Sequence, residues 1–312
     1  MAGDGGTANK PKTILALDNG AFAAAKRGEG IPVEPYTEFV LEHHHLLDVV
    51  FSCDVIGDGE KSLKNFLYMR DKGLNPVPVY HDGTPLKYLE FYLRDLDIDY
   101  VAIGGIAGQH VPRLSKSLKS LWDDYLLDSI GYPKLKCHAF GITSPRVVAS
   151  FPWISVDSST WARESRKYGN CLIPKRKKYE SGCYSYRDPP TAISVTTSSS
   201  HRDNHIDRLP TYRRHQVVQY FEQRGFRLEG LRKKGRLRDQ LNAIYYVEMG
   251  RELKKIVYLA GNFSALGNPE VERAIQQQVF ALGSNYYRLI SFDDNPKIQT
   301  VLDLKRGETS YD

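Results

Sequence analysis

TILALDNGAF (residues 13–22) is a short apolar run that stops on Asp18, Asn19 and Gly20. Later runs repeat the pattern: DVVFSCD (48–54), VPVYHDG (77–83), VAIGGIAG (101–108), KCHAFGIT (136–143) and WISVDSST (153–160). Each ends on a small or acidic residue, and stretches with helical spacing lie between most of them. This alternation predicts an α/β chain, a TIM-like (β/α)8 barrel. In such barrels the chemistry sits at the carboxyl ends of the strands, so the residues where the runs stop are the candidates to act.

Working outward, the predicted strands cover residues 13–17, 49–53, 77–81, 100–104, 135–140 and 153–156. Helical spacing marks 62–72, 86–95 and 111–127. Residues 161–210, with Gly, Ser, Pro and Tyr throughout, read as an irregular insertion after the last of these strands. A helix is expected over 216–225, ended by glycine. Strands over 255–260 and 286–292, with a helix over 270–282, would bring the strand count to eight; residues 192–195 compete as a strand. Residues 1–11 read as a disordered leader, and 12–312 as a single barrel domain with the insertion at about 161–210.

Composition sets limits. The chain has 312 residues, 41% of them hydrophobic and 26% charged. That is enough for one barrel of ~250 residues with elaborations. No apolar run approaches the ~20 residues needed to span a bilayer. The start lacks an apolar signal region. Four sparse cysteines, Cys53, Cys137, Cys171 and Cys183, fit a reducing cytoplasm. The net charge of +6 conceals an asymmetry, because residues 161–238 hold 19 Lys or Arg against 7 Asp or Glu. Lys175, Arg176, Lys177 and Lys178 form one cluster, and Arg232, Lys233 and Lys234 begin another. Tyrosines are interleaved, and aromatics stack on unpaired bases. A polyanionic partner is expected, against the plainer reading of a solvated basic face.

Asp18, Asp54 and Asp157 would project into one barrel mouth. Two carboxylates facing a glycosidic carbon can divide the work, one attacking and one handling protons. A single strand-end Asp more often caps the next helix. Three at one rim, beside Gly-Gly and His-Asp-Gly turns, favour chemistry.

In their order, these segments resemble the tRNA-guanine transglycosylase superfamily, and within it the phage and bacterial enzymes that place 7-deazaguanine bases in DNA. LDNGAF is similar to the family's D-S-G-G-F/Y-Q, and LDVVFSCD to S-D-I-V-M-A-F-D. VYHDG stands where the family has V-Q-G-G, VAIGGIAG resembles Y-A-I-G-G-L, and HAFGITSPRVV resembles Y-L-M-G-V-G-T-P-E-D-L. SVDSSTWAR takes the place of the nucleophile strand. The likeness covers roughly residues 13–163.

The resemblance implies a role for each residue. Asp157 would attack C1′ of the nucleotide, and Asp18 would be the acid/base for the departing and incoming bases. Asp54 would accept hydrogen bonds from the base edge. Gly104 and Gly105 would meet its exocyclic oxygen, and Phe22 and Phe140 would sandwich it, although barrel core is the competing reading of both rings. His81 replaces the family's Gln and would alter base-edge recognition.

The family's zinc spacing is absent. Cys171, Cys183, His201 and His205 are a looser set of atypical spacing, so neither metal nor cofactor is expected. The family's strands preceding the Asp18 position are also missing. The implied activity is exchange of guanine in DNA for a free 7-deazaguanine. The alternatives are a tRNA-directed enzyme and a non-catalytic nucleic-acid-binding barrel.

Overall fold

The computed structural model describes residues 13–95, 97–176, 184–253 and 286–291. Within them, strands β1 (Thr13–Asp18), β2 (Val49–Val50), β3 (Val79–His81), β4 (Tyr100–Gly104), β5 (Lys136–Ala139) and β6 (Ser155–Val156) alternate with helices. These helices are α1 (Ala21–Lys26), α2 (Val33–His43), α3 (Gly59–Asp71), α4 (Lys87–Arg94), α5 (Val111–Leu121) and α6 (Pro145–Ser150). The predicted helix over 111–127 is α through Leu121 and then a π turn over Trp122–Leu126.

Neighbouring strands pair in parallel and in sequence order: Leu17 with Val50, Phe51 with Val77, His81 with Gly104, Ile103 with Ala139, and Ala139 with Val156. The late strand Tyr286–Ser291 pairs in parallel with the other edge of β1, Asp18 opposite Ser291. An order that always advances in one direction, joined by right-handed crossovers, puts every helix on the same face.

The packing shows this. Strand residues alternate by two. Leu15, Leu17, Tyr80, Val101, Ile103, Cys137 and Ala139 bury against helix residues such as Tyr36, Val40, Leu89, Tyr92, Leu114, Leu118 and Val147. The other face carries Ala16, Val49, Phe51, Val77, Val79, Tyr100, Ala102 and Phe140, which pack on one another, and among the described residues no helix joins this cluster. Strand side chains can meet in this way only if the sheet curves around them. Phe51 after β2 and Phe140 after β5 stand three strands apart, yet their ring centroids are 4.9 Å from each other.

The described residues within 161–210, expected to be an irregular insertion, fall largely into elements. Helix α7 (Thr160–Tyr168) ends on Gly169 and leads into β7 (Asn170–Ile173). Short strands β8 (Lys175–Arg176) and β9 (Tyr184–Ser185) pair antiparallel, and β10 (Thr191–Ser194) pairs antiparallel with β7. The competing strand at 192–195 therefore belongs here and not to the parallel sheet.

Helices α8 (Thr211–Glu222), α9 (Leu228–Lys233) and α10 (Gly235–Leu253) complete this part. Cys171, Ile173, Ile193, Val217, Tyr220, Phe221, Leu231 and Leu241 form its core. Asn242, fully buried, accepts from Leu172 N–H at 2.8 Å and donates to the carbonyls of Trp161 and Asn170, locking α10 to α7 and β7. The late strand is β11 (Tyr286–Ser291). The expected strand at 255–260 and helix at 270–282 lie outside the described residues, as do Lys177, Lys178, Cys183 and residues 1–11.

Candidate active site

The parallel register aligns the strand ends. Asp18 closes β1, Asp54 follows β2, His81 closes β3, Gly104 closes β4, Phe140 follows β5 and Asp157 follows β6. The three predicted carboxylates therefore share one rim. The inward alternation that buries Ala16 and Val79 continues one step further up their strands to Asp18 and His81.

Asp18 Oδ2 accepts from Gly20 N–H at 3.3 Å. Burial holds its carboxyl well above the ordinary carboxylate range, and the nearby charges of Asp54 and Asp157 add to the shift. Like charges around one site make the protonated form of one member favourable.

Asp54 is 5% exposed and its Oδ2 lies 2.9 Å from His81 Nε2, itself buried. Several contacts fix the Asp54 loop. Asn65 donates to Cys53 O at 2.8 Å, Ser62 Oγ accepts from Val55 N–H at 2.9 Å, and Asp58 caps α3 by accepting from Lys61 N–H. Asn19 ties this loop to β1. Its Nδ2 donates to Asp54 O at 3.0 Å and its Oδ1 accepts from Ala21 N–H at 2.9 Å.

The two glycines predicted here have separate physical reasons. A Cβ on Gly104 would fall 2.4 Å from His81 Cδ2, so only glycine lets the imidazole lie where it reaches Asp54. Gly105 has φ +74° and would meet the Asp82 carbonyl, so it supplies a left-handed turn against the neighbouring strand end. Asp82 in turn accepts from Ser117 Oγ at 2.7 Å, which anchors the turn to α5.

Asp157 is partly exposed. Its Oδ1 accepts from Gly141 N–H at 2.8 Å and lies 3.5 Å from His138 Nε2. His138 Nδ1 is 2.7 Å from Ser155 Oγ, and Ser155 Oγ is 2.7 Å from Tyr100 OH. Asn19, Tyr100, His138 and Ser155 were not singled out from sequence. Two-residue alternation along β4, β5 and β6 is the one signal that could have put the last three on a common face, and nothing local marks their mutual contacts.

The two aromatics differ. Phe140 packs edge-on to Phe51 and His138, with centroids 4.9 and 4.6 Å away, and so contributes to the inner core as well as bordering the site. Phe22 is 52% exposed on α1, with Lys26 Nζ 4.0 Å from its ring centre. No protein-family model matches the chain, and no curated protein or solved structure matches it.

The predicted cations divide. Arg232 is engaged: its Nη2 lies 2.6 and 2.7 Å from the two oxygens of Asp207, whose carboxyl it holds below the ordinary range. Arg224 pairs with Glu248 and Arg166 with Asp239. Lys175, Lys233 and Lys234 are exposed. Arg176 is partly buried and, with Arg213, Gln216 and Tyr184, lines a small depression away from the carboxylate rim. Cys171 is fully buried in the core, where burial raises its thiol to about 12. His205 is buried, its Nδ1 accepting from Asp207 N–H. Among the described residues no three His, Cys, Asp or Glu side chains are grouped as metal ligands.

Proposed function

We propose that this chain exchanges guanine in a nucleic acid, with DNA favoured, for a free 7-deazaguanine by double displacement on Asp157. The observation that carries the proposal is one rim where the ends of β1, β2 and β6 bring Asp18, Asp54 and Asp157 together, Asp157 partly exposed and Asp18 in surroundings that raise its carboxyl above the ordinary range. The order of motifs in the sequence supports it further.

In this scheme an Asp157 oxygen donates its electron pair to C1′. The bond from C1′ to N9 of guanine breaks, its electrons pass to the base, and the proton of Asp18 neutralises the departing guanine. A glycosyl ester of Asp157 remains. The incoming 7-deazaguanine gives its ring N–H proton to Asp18 and attacks C1′, and the ester electrons return to Asp157. Such proton handling is worth ~10²–10⁴-fold. Asp54 and His81 form the floor that binds the base edge, with Gly104 and Gly105 at its side and Phe22 and Phe140 flanking it.

We further propose that the curved parallel sheet closes as a (β/α)8 barrel around this rim. In that barrel β11 takes up the edge of β1 that faces away from β2. The exposed lysines that follow Asp157 in the chain would contact phosphates, offsetting the few kcal/mol needed to unstack the target base. No helix among the described residues is long and apolar enough to cross a membrane, and a cytoplasmic site of action fits the free thiols.

The test is incorporation of labelled 7-deazaguanine into DNA and tRNA in parallel. Label in DNA is the expected result. Label in tRNA alone overturns the choice of polymer. Tight binding with no label in either supports a non-catalytic barrel.

A further inference from the structure

Three inward-facing residues, none of them a carboxylate, lead in a chain to Asp157. Tyr100 OH lies 2.7 Å from Ser155 Oγ, Ser155 Oγ lies 2.7 Å from His138 Nδ1, and His138 Nε2 lies 3.5 Å from Asp157 Oδ1. They come from β4, β6 and β5, so the chain crosses neighbouring strands on their inner face. His138 is 4% exposed, and Phe51 and Phe140 pack on its ring at 4.9 and 4.6 Å. Its Nε2 is buried and forms no full hydrogen bond among the described residues, so Asp157 is the group it faces. A separation of 2.7 Å from Ser155 is a hydrogen bond and too short for a C–H contact, which fixes which edge of the ring carries Nδ1.

We infer that His138 is a positioning residue held as its Nε2–H tautomer, and that it makes Oδ2 the attacking oxygen of Asp157. This rests on the exchange reading only for the word attacking. The tautomer follows from electrostatics. If Nδ1 carried the proton, Nε2 would present a bare lone pair to a carboxylate oxygen inside the fold. With the proton on Nε2, Ser155 donates to Nδ1, Tyr100 donates to Ser155, and every donor in the chain points toward Asp157.

Oδ1 of Asp157 then faces two donors, His138 Nε2–H and Gly141 N–H, the latter at 2.8 Å. Oδ2 accepts no hydrogen bond among the described residues and is the oxygen left to bond C1′. In the glycosyl ester Oδ1 becomes the carbonyl oxygen. When the C1′–Oδ2 bond breaks and its electrons return to the carboxylate, negative charge grows on Oδ1, where the two donors wait. His138 thus favours resolution of the ester over its formation.

The experiment has two arms on the full-length protein. In the first, nitrogen-15 NMR of labelled histidine, with His138 assigned by its loss in His138→Gln, reads the tautomer at neutral pH. The expected signature is a protonated Nε2 and a bare, hydrogen-bonded Nδ1, with the Nδ1 signal shifted in Ser155→Ala. A proton on Nδ1 overturns the inference.

In the second arm, single-turnover kinetics separate ester formation from ester resolution. His138→Leu is expected to slow resolution about 10²-fold, slow formation much less, and so accumulate adduct. His138→Gln, whose amide N–H reaches the Nε2 position, is expected to restore most of the rate. A misfolded variant would slow both steps, and equal rates in wild type, Leu and Gln variants overturn the role. A wild-type protein that shows the Nε2–H tautomer but forms no adduct supports the orientation of Asp157 and overturns the exchange reading instead.

Discussion

Asp18 is a carboxylic acid whose surroundings oppose its charge. Burial is the larger cause, and Asp54 and Asp157 add like charge. The folded protein therefore keeps a proton on Asp18 at pH values where the unfolded chain has released it. Where the folded state binds more protons, stability falls as pH rises, through the window from the ordinary carboxylate pKa up to the raised one. Asp18→Asn has no proton to lose. Its melting temperature should match wild type below the ordinary value and exceed it by a margin that grows with pH through the window. A margin constant with pH would contradict the assignment. The same variant should lose exchange activity by ~10²–10⁴-fold. Sequence reading found this residue because an acid that ends an apolar run is conspicuous. It missed Asn19 and His138, whose partners lie 35 and 17 positions away. Nothing in the local pattern announces such contacts.

At the scale of elements, the strand ends do the positioning, and the close approach of β3 to β4 is the tightest instance. A Cβ at Gly104 meets His81 Cδ2 at 2.4 Å. Gly104→Ala should displace the imidazole from Asp54 and cost about 1–3 kcal/mol of stability. It should also raise the apparent KM for the free base about tenfold, the scale of one charge-assisted hydrogen bond. The effect of His81→Ala should not add to it, since both changes break one contact. Additive losses in the double-mutant cycle would show that Gly104 acts elsewhere. The parallel strands were legible because apolar runs with turn residues at their ends have few other interpretations. The elements after Asp157 were not. NCLI and TAIS, the strands of the antiparallel pair, are too short to show a period. Their stability comes from α8 and α10, which pack on them from far along the chain.

For the whole molecule, the cations after Asp157 divide into engaged and exposed ones. Many cations after Asp157 are engaged with carboxylates or carbonyls, among them Arg166, Arg224, Arg232 and Arg238. Counting charges in sequence therefore overstated the surface available to a polyanion. The exposed set includes Lys175, Lys233, Lys234 and Arg236. Replacing these four with Ala should weaken DNA binding regardless of sequence. It should also flatten the plot of log affinity against log salt by nearly one unit for each phosphate left without a cation. Arg232→Ala should instead lower stability, because Asp207 would lose the guanidinium that bridges both its oxygens and keep only Arg214 Nη2 at 3.1 Å. An unchanged salt slope in the quadruple variant would mark the lysines as solubilising only.

The central claim, that Asp157 becomes covalently bonded to a nucleotide, can be measured directly. The protein is incubated with an oligonucleotide without free base, denatured, digested and mapped by mass spectrometry. The predicted result is a nucleotide adduct on the peptide carrying Asp157, absent from Asp157→Asn, which still folds and binds DNA, and discharged when a 7-deazaguanine is added first. An Asp157→Asn protein that still exchanges bases, or an adduct mapping to Asp18 or Asp54, would contradict the account.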